Sequence, residues 1–122
     1  MSYHLTIEEH PGYLHTKVNG PSTAENALRF LRESYEACVA RGVYSLLLEM
    51  SLEGPSLDTG SIYSVISQRS DTGKQLRRIA YVDTGVHGGA KARFAETVAI
   101  NRGVNVRLFA NLADARKWLE SA

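Results

Sequence analysis

Short apolar runs alternate along the chain with longer segments in which apolar residues recur every three or four positions. The clearest run, Ser45–Met50, contains three consecutive leucines, which is typical of a strand covered on both faces. Similar runs occur at Ile79–Val82 and Val104–Phe109. Because parallel strands joined by helices are connected by right-handed crossovers, these runs predict a mainly parallel sheet.

Helical spacing and capping signals predict four helices. Ser22 and Glu25 form a capping box at the start of the first helix, and Gly42 ends it. Asp71-Thr72-Gly73 is expected to end the second. The helices are placed at about Thr23–Arg41 and Asp58–Arg69, around Phe94–Ala99, and after an N-cap at Asn111.

An antiparallel hairpin is predicted before the first helix, because two alternating segments flank His10-Pro11-Gly12. The order is therefore ββαβαβαβα. We expect a single α/β domain over residues 1–122, with a mixed five-stranded sheet (the opening β-hairpin plus parallel strands) and four helices. The residues predicted to be largely buried are Leu31, Tyr35, Leu47, Ile79, Val82, Phe94, Val98, Phe109 and Leu119.

Charge and hydropathy exclude several classes of protein. The net charge is +1 among 122 residues and no long basic run occurs, so nucleic-acid binding is not expected. No apolar run approaches the roughly 20 residues that a membrane span needs. The single cysteine cannot form an internal disulfide, which suits a reducing compartment, and we expect a cytoplasmic location.

The four histidines and the cysteine show no catalytic or metal-binding spacing. His4, His10, His15 and His87 are interpreted as solvated surface residues, because no pair has the i, i+4 spacing of a helical metal site. Cys38 lies on the apolar face of the first helix and is interpreted as a buried small hydrophobe. The sequence therefore predicts no cofactor and no metal.

Asp-Thr-Gly occurs twice, at Asp58–Gly60 and Asp83–Gly85. The motif is similar to the aspartic protease signature, in which two carboxylates share a proton. Aspartic proteases are all-β, whereas both copies here fall in loops of an α/β pattern. We therefore interpret the motifs as turns and caps, and predict that Asp58 and Asp83 form no catalytic dyad.

A glycine-rich loop precedes the third helix. Gly88 and Gly89 could expose backbone N–H groups at the helix start, and Lys91 and Arg93 add positive charge. These four residues are a candidate anion-binding site. The loop matches neither a Walker A motif nor the dinucleotide fingerprint, so a flexible connector is the alternative interpretation.

The loop after the third strand carries a family resemblance. Leu48-Glu49-Met50-Ser51 leads through Ser56-Leu57 to Asp58-Thr59-Gly60-Ser61 at the start of a helix. This arrangement resembles the STAS domain of SpoIIAA-type anti-sigma-factor antagonists, where Asp-Ser-Ser-Gly follows a strand and a serine is phosphorylated. By position, the resemblance implies a phosphoacceptor at Thr59 or Ser61, with Ser56 as a nearby alternative.

The C-terminal half resembles the SpoIIAA-like, or STAS/Sec14-like, branch of the family. The matching features are Phe94-Ala95-Glu96, the helix end Asn101-Arg102-Gly103, and a closing strand and helix that contain Phe109 and Trp118. The resemblance thus covers the whole chain and implies the same ββαβαβαβα fold.

Two function classes remain open. The first is a non-enzymatic regulatory or protein-interaction module of the STAS type, whose switch would be modification of Ser56, Thr59 or Ser61 near Asp58. Its partner would be another protein or a second copy of the chain. The second is a binding domain for a small apolar or anionic ligand, which the Sec14-like resemblance implies. An enzyme ranks third, because no nucleophile with its base and orienting group is visible.

Overall fold

The computed structural model describes residues 2–84 and 89–121. Its elements follow the predicted order ββαβαβαβα, and no helix in these ranges is long and apolar enough to cross a membrane. The bounds are β1 His4–His10, β2 Tyr13–Pro21, α1 Ala24–Arg41, β3 Ser45–Glu53, α2 Thr59–Gly73, β4 Arg78–Asp83, α3 Ala90–Asn101, β5 Val106–Phe109 and α4 Leu112–Glu120.

The five strands form one sheet in the order β1-β2-β3-β4-β5. Strands β1 and β2 are antiparallel, and every other neighbouring pair is parallel. Pro11 and Gly12 fill the two-residue turn between β1 and β2, where Gly12 has a φ of 87°, a conformation that favours glycine. The predicted fold class, a mixed sheet with four helices, is confirmed.

The helices are divided unequally between the two faces of the sheet. Helices α1, α2 and α3 pack on the face that carries Leu14, Leu46 and Ile79. Helix α4 packs on the other face, over β3, β4 and β5, where it buries Leu47 and Ala80. Within the described ranges no helix packs on the β1 side of that second face.

The cap of α1 differs from the prediction by one residue. The Thr23 hydroxyl, not that of Ser22, accepts the hydrogen bond of the Asn26 backbone N–H, at 3.1 Å. Ser22 instead directly follows β2, and its N–H donates to the Glu53 carbonyl at the end of β3, at 2.8 Å. Gly42 ends α1 as predicted, with a φ of 66°.

Helix α2 continues past Arg69, where the prediction ended it, to Gly73. Gly73 is buried, and a Cβ built on it would contact the Tyr35 and Val104 side chains at 3.4–3.5 Å. Tertiary packing therefore holds the last turn despite its poor helix propensity. Strand β5 begins at Val106, two residues later than predicted.

Seven of the nine predicted core residues are buried. Phe94 and Phe109 are only partly buried, so that part of the prediction is wrong. Phe94 lies to one side of the row Ala92, Ala95 and Ala99 that α3 turns toward the apolar interior. Phe109 ends the edge strand β5 and packs on Trp118 at a ring-centroid distance of 5.5 Å.

Replacing Leu47 with alanine is expected to lower the free energy of unfolding by about 2–5 kcal/mol, because Leu47 is fully buried between β3 and α4. Urea denaturation measures the loss. Ile100→Ala is the control, since Ile100 is 50% exposed and its loss should cost far less. Equal denaturation midpoints for wild type and Leu47→Ala would contradict this packing.

Candidate functional site

The residues predicted to form the switch lie together at the carboxyl end of the parallel strands. Ser56 and Asp58 belong to the loop between β3 and α2, and Thr59 and Ser61 belong to the first turn of α2. Ligands of open α/β sheets bind at this end of the strands, because loops and helix N-termini converge there. The residues predicted to form the switch therefore lie at the edge where open α/β sheets bind their ligands.

Asp58 is the N-cap of α2. Its Oδ1 accepts a hydrogen bond from the Ser61 backbone N–H at 2.7 Å. This bond, together with one from the Ser61 side chain and the positive charge of Lys91, lowers the pKa of Asp58 below its ordinary value. Asp58 thus acts as an ionised cap that fixes where α2 begins.

The three candidate hydroxyls differ in their surroundings. Ser61 is half-buried, and its hydroxyl is bonded to Asp58. Ser56 and Thr59 are exposed, and Thr59 occupies the first position of the helix. Modification of Ser61 would remove the hydrogen bond between its hydroxyl and the capping Asp58, whereas modification of Thr59 would add a group to an accessible surface.

Three of the four candidate anion-binding residues lie within the described ranges, and their surroundings differ. Gly88 lies outside the described residues. Gly89 and Arg93 are exposed, but the Lys91 ammonium donates a hydrogen bond to the Leu57 carbonyl at 3.0 Å. Lys91 therefore joins α3 to the loop before α2, and the anion site stays a prediction.

Asp83, the second aspartate of the repeated motif, ends β4. The Tyr81 hydroxyl donates to its Oδ2 at 3.0 Å. Burial, and then the Asp83 charge, hold the pKa of Tyr81 well above its ordinary value, so the phenol stays protonated. Asp58 caps a helix and Asp83 accepts from Tyr81, so each carboxylate has a structural partner of its own.

An apolar cavity of about 110 Å³ lies between the sheet and helices α1, α2 and α3. Its walls include Phe30, Leu48 and Val65, and its polar lining includes Ser56 and Lys91, from the carboxyl end of the sheet. The predicted switch loop therefore adjoins this apolar cavity.

The contact between two exposed residues, Tyr63 on α2 and Arg102 just after α3, was not predicted. Tyr63, one turn along α2 from Thr59, is 49% exposed. The Arg102 guanidinium lies 5.1 Å from the centre of the Tyr63 ring and donates a hydrogen bond to its hydroxyl. Sequence analysis placed Arg102 only at a helix end, and no spacing rule links it to Tyr63, 39 residues away.

The interpretation of all four histidines as solvated surface residues is wrong for His15. This residue is 7% exposed, and its Nε2 lies 2.9 Å from the buried Glu49 Oε1. Strand β2 lies inside the sheet, so even its polar face is covered by neighbours. Cys38 is fully buried as predicted, and burial raises the pKa of its thiol to about 12.

No protein-family model matches the sequence, and the curated proteins contain no significant match. Among solved structures, the chain is similar to an anti-sigma factor antagonist from Mycobacterium paratuberculosis, with a TM-score of 0.65 and 20% identity over 98% of this chain and 96% of that chain. It is also similar to an uncharacterized protein with a SpoIIAA-like fold from Shewanella loihica, with a TM-score of 0.59 and 20% identity over 96% of this chain and 93% of that chain. The STAS, or SpoIIAA-like, fold is confirmed.

Asp58→Ala is expected to destabilise the protein at neutral pH, because α2 loses its charged cap. The folded-state pKa of Asp58 is lowered, so its stabilising effect is fully present above the ordinary value of 3.8 and is lost as the pH falls through the folded-state pKa. Urea denaturation across this range measures the difference between wild type and variant.

Asp71→Ala is the matched control, since Asp71 also belongs to α2 but its side chain is 95% exposed. A wild-type advantage over Asp58→Ala that stays constant down to pH 2 would contradict the assigned role of the carboxylate.

Proposed function

We propose that residues 1–122 form a single non-enzymatic module that binds a protein partner through the start of α2. The observation that carries this proposal is the exposed Thr59 on the first turn of α2, in the segment that resembles the STAS switch. One structural neighbour is an anti-sigma factor antagonist, which supports a regulatory role on the same fold. We name Thr59, Tyr63 and Arg102 the α2 surface.

The α2 surface has the composition of a binding site for protein. Thr59 and Tyr63 are four residues apart and share one face of the helix. Tyrosine and arginine are the residues that most often dominate the binding energy of interfaces. The Arg102 side chain fixes the Tyr63 ring by stacking and a hydrogen bond, which lowers the entropy lost on binding.

Modification of Thr59 would change this surface without refolding the domain. A phosphate adds about −1.5 to −2 of charge at neutral pH. At the first position of α2 this charge meets the positive end of the helix dipole, so the folded state tolerates it. On the same helix face as Tyr63 it would repel acidic groups of a partner that binds there. The partner would be exchanged while the fold stays the same.

Catalysis is not part of the proposal. Cys38 is fully buried, and its thiol has a raised pKa, so it is not a nucleophile. The two aspartates are occupied by a helix cap and by Tyr81. The chemistry at this edge of the sheet therefore favours binding.

The cavity favours a second candidate function, the binding of a small apolar ligand. An apolar cavity of about 150 Å³ holds a benzene-sized molecule in other proteins, so one of about 110 Å³ suits a smaller group or part of a chain. Native mass spectrometry of the protein from its own cells separates the candidates. A retained small molecule supports ligand binding. A bound protein without a small molecule supports the protein-interaction module.

Thr59→Glu is expected to reduce binding of the partner, because a carboxylate stands in for part of the phosphate charge at an exposed position. The wild-type protein is used as bait in extract of its own cells, and the captured proteins are quantified by mass spectrometry. The same measurement is made for Ser56→Glu and Ser61→Glu, and sedimentation shows whether a second copy of the chain is the partner.

Two control variants test whether the effect of Thr59→Glu comes from its charge, and whether it depends on the position of that charge. Thr59→Gln has nearly the size of the glutamate without its charge, and Ala113→Glu adds a carboxylate to the first turn of α4. Both should retain the partner. If capture and sedimentation are unchanged for all three glutamate variants, the switch hypothesis is wrong. If Ala113→Glu loses as much partner binding as Thr59→Glu, the α2 surface is not the binding site.

A further inference from the structure

A cluster of polar side chains occupies the β1–β2 part of the sheet face that α4 leaves uncovered. Glu8 and His15 are directly paired across the hairpin, and His10 ends β1 two residues after Glu8. Since side chains alternate between faces, all three project from the same face. The cluster is remote in the fold from the α2 surface, which belongs to the opposite layer.

Glu49 orients His15. The Nε2 of His15 lies 2.9 Å from Glu49 Oε1, and both side chains are only 8% exposed. A carboxylate can only accept, so Nε2 carries the proton of this hydrogen bond. In the neutral ring the lone pair is then on Nδ1, which is buried and has no hydrogen-bond partner among the described residues.

The unpartnered Nδ1 of His15 points toward two further ligand atoms. It lies 3.7 Å from Glu8 Oε1, and the same oxygen lies 3.1 Å from His10 Nε2. One ligand atom of each residue, a ring nitrogen or a carboxylate oxygen, lies within 4.8 Å of those of the other two. Bonds of about 2.0–2.1 Å at tetrahedral angles would place ligand atoms about 3.3 Å apart.

Packing also holds the His10 ring. It stacks on Tyr13 with a centroid distance of 4.9 Å and an interplanar angle of 4°, and Tyr13 is buried. Two imidazoles and one carboxylate are thus held near the spacing that a metal ion requires. Glu8 and His10, whose side chains are 59% and 30% exposed, have room to adjust around the buried His15.

We propose that Glu8, His10 and His15 bind one divalent transition-metal ion, with Zn²⁺ as the first candidate. Imidazole and carboxylate suit Zn²⁺, and three protein ligands leave the fourth position to water. Glu49 is a positioning residue, since a carboxylate that accepts from a metal-bound histidine fixes its tautomer and raises its basicity. This site goes beyond the proposed function and does not depend on it.

An ion pair without metal is the competing explanation for the cluster. In that case a protonated His15 would lie between Glu8 and Glu49, and Zn²⁺ would find no ready ligand set. Lys17, whose Nζ lies 4.0 Å from Glu49 Oε2, already supplies positive charge to the outer oxygen of Glu49. The two explanations differ in whether the isolated protein takes up one metal ion.

Titration calorimetry of the full chain, purified without a polyhistidine tag, tests the site with ZnCl₂. We expect one Zn²⁺ per chain and a raised thermal midpoint. The double variant Glu8→Gln/His10→Gln should bind more than about 100-fold more weakly, because loss of an outer-shell partner alone costs 10–100-fold. Glu49→Gln should weaken binding by about that smaller factor.

His4→Gln is the matched control, because His4 is an exposed histidine of the same strand that lies outside the cluster. It should keep wild-type affinity, and circular dichroism should show every variant folded. Visible absorption of the Co²⁺-loaded protein supports the site if it shows tetrahedral coordination that the double variant lacks. The proposal is overturned if the wild-type protein binds less than one Zn²⁺ per chain. It is also overturned if the double variant keeps wild-type affinity, or if His4→Gln loses as much affinity as the double variant.

Discussion

Four helices cover the two faces of a five-stranded sheet unequally, and the other features of the molecule depend on this asymmetry. Three helices bury one face, whereas α4 alone covers β3, β4 and β5 on the other. Strand β2 is interior, so its second face must still be buried without a helix. His15 and Glu49 fill that space, and their hydrogen bond satisfies polar groups that would otherwise be costly to bury.

The face with three helices has a different consequence. Its helices each begin at the carboxyl edge of the sheet, where an apolar cavity adjoins the loop before α2. Asp58 fixes the start of α2 through its cap, and Lys91 ties α3 to the same loop. These two contacts hold Thr59 on a defined and exposed first turn, so a charge added there would change the surface more than the fold.

Sequence patterns predict the fold well because the elements are strongly periodic and capped. The order of elements, the end of α1 at Gly42 and the cap at Asn111 all follow from local chemistry. Tertiary packing decides the features that local sequence did not predict, such as the end of α2 and the burial of His15. Gly73 remains helical because it is buried against Tyr35 and Val104, and His15 is buried because β2 lies inside the sheet.

The histidine cluster escaped prediction because its members meet through hairpin register, for which helical spacing offers no signal. The pair of Tyr63 and Arg102 escaped because it depends on how α2 packs beside α3. By contrast, the residues predicted to form the switch could be grouped from the sequence, because they follow one strand in a short motif.

Photo-crosslinking in the cells that make the protein tests the central claim, that the start of α2 is the partner surface. A benzophenone amino acid replaces Tyr63, and in a second strain it replaces Tyr44, a tyrosine of similar exposure between α1 and β3 (49% and 46%). The account predicts a discrete crosslinked protein from position 63 and none from position 44. No product at position 63, or the same products at both positions, would contradict it.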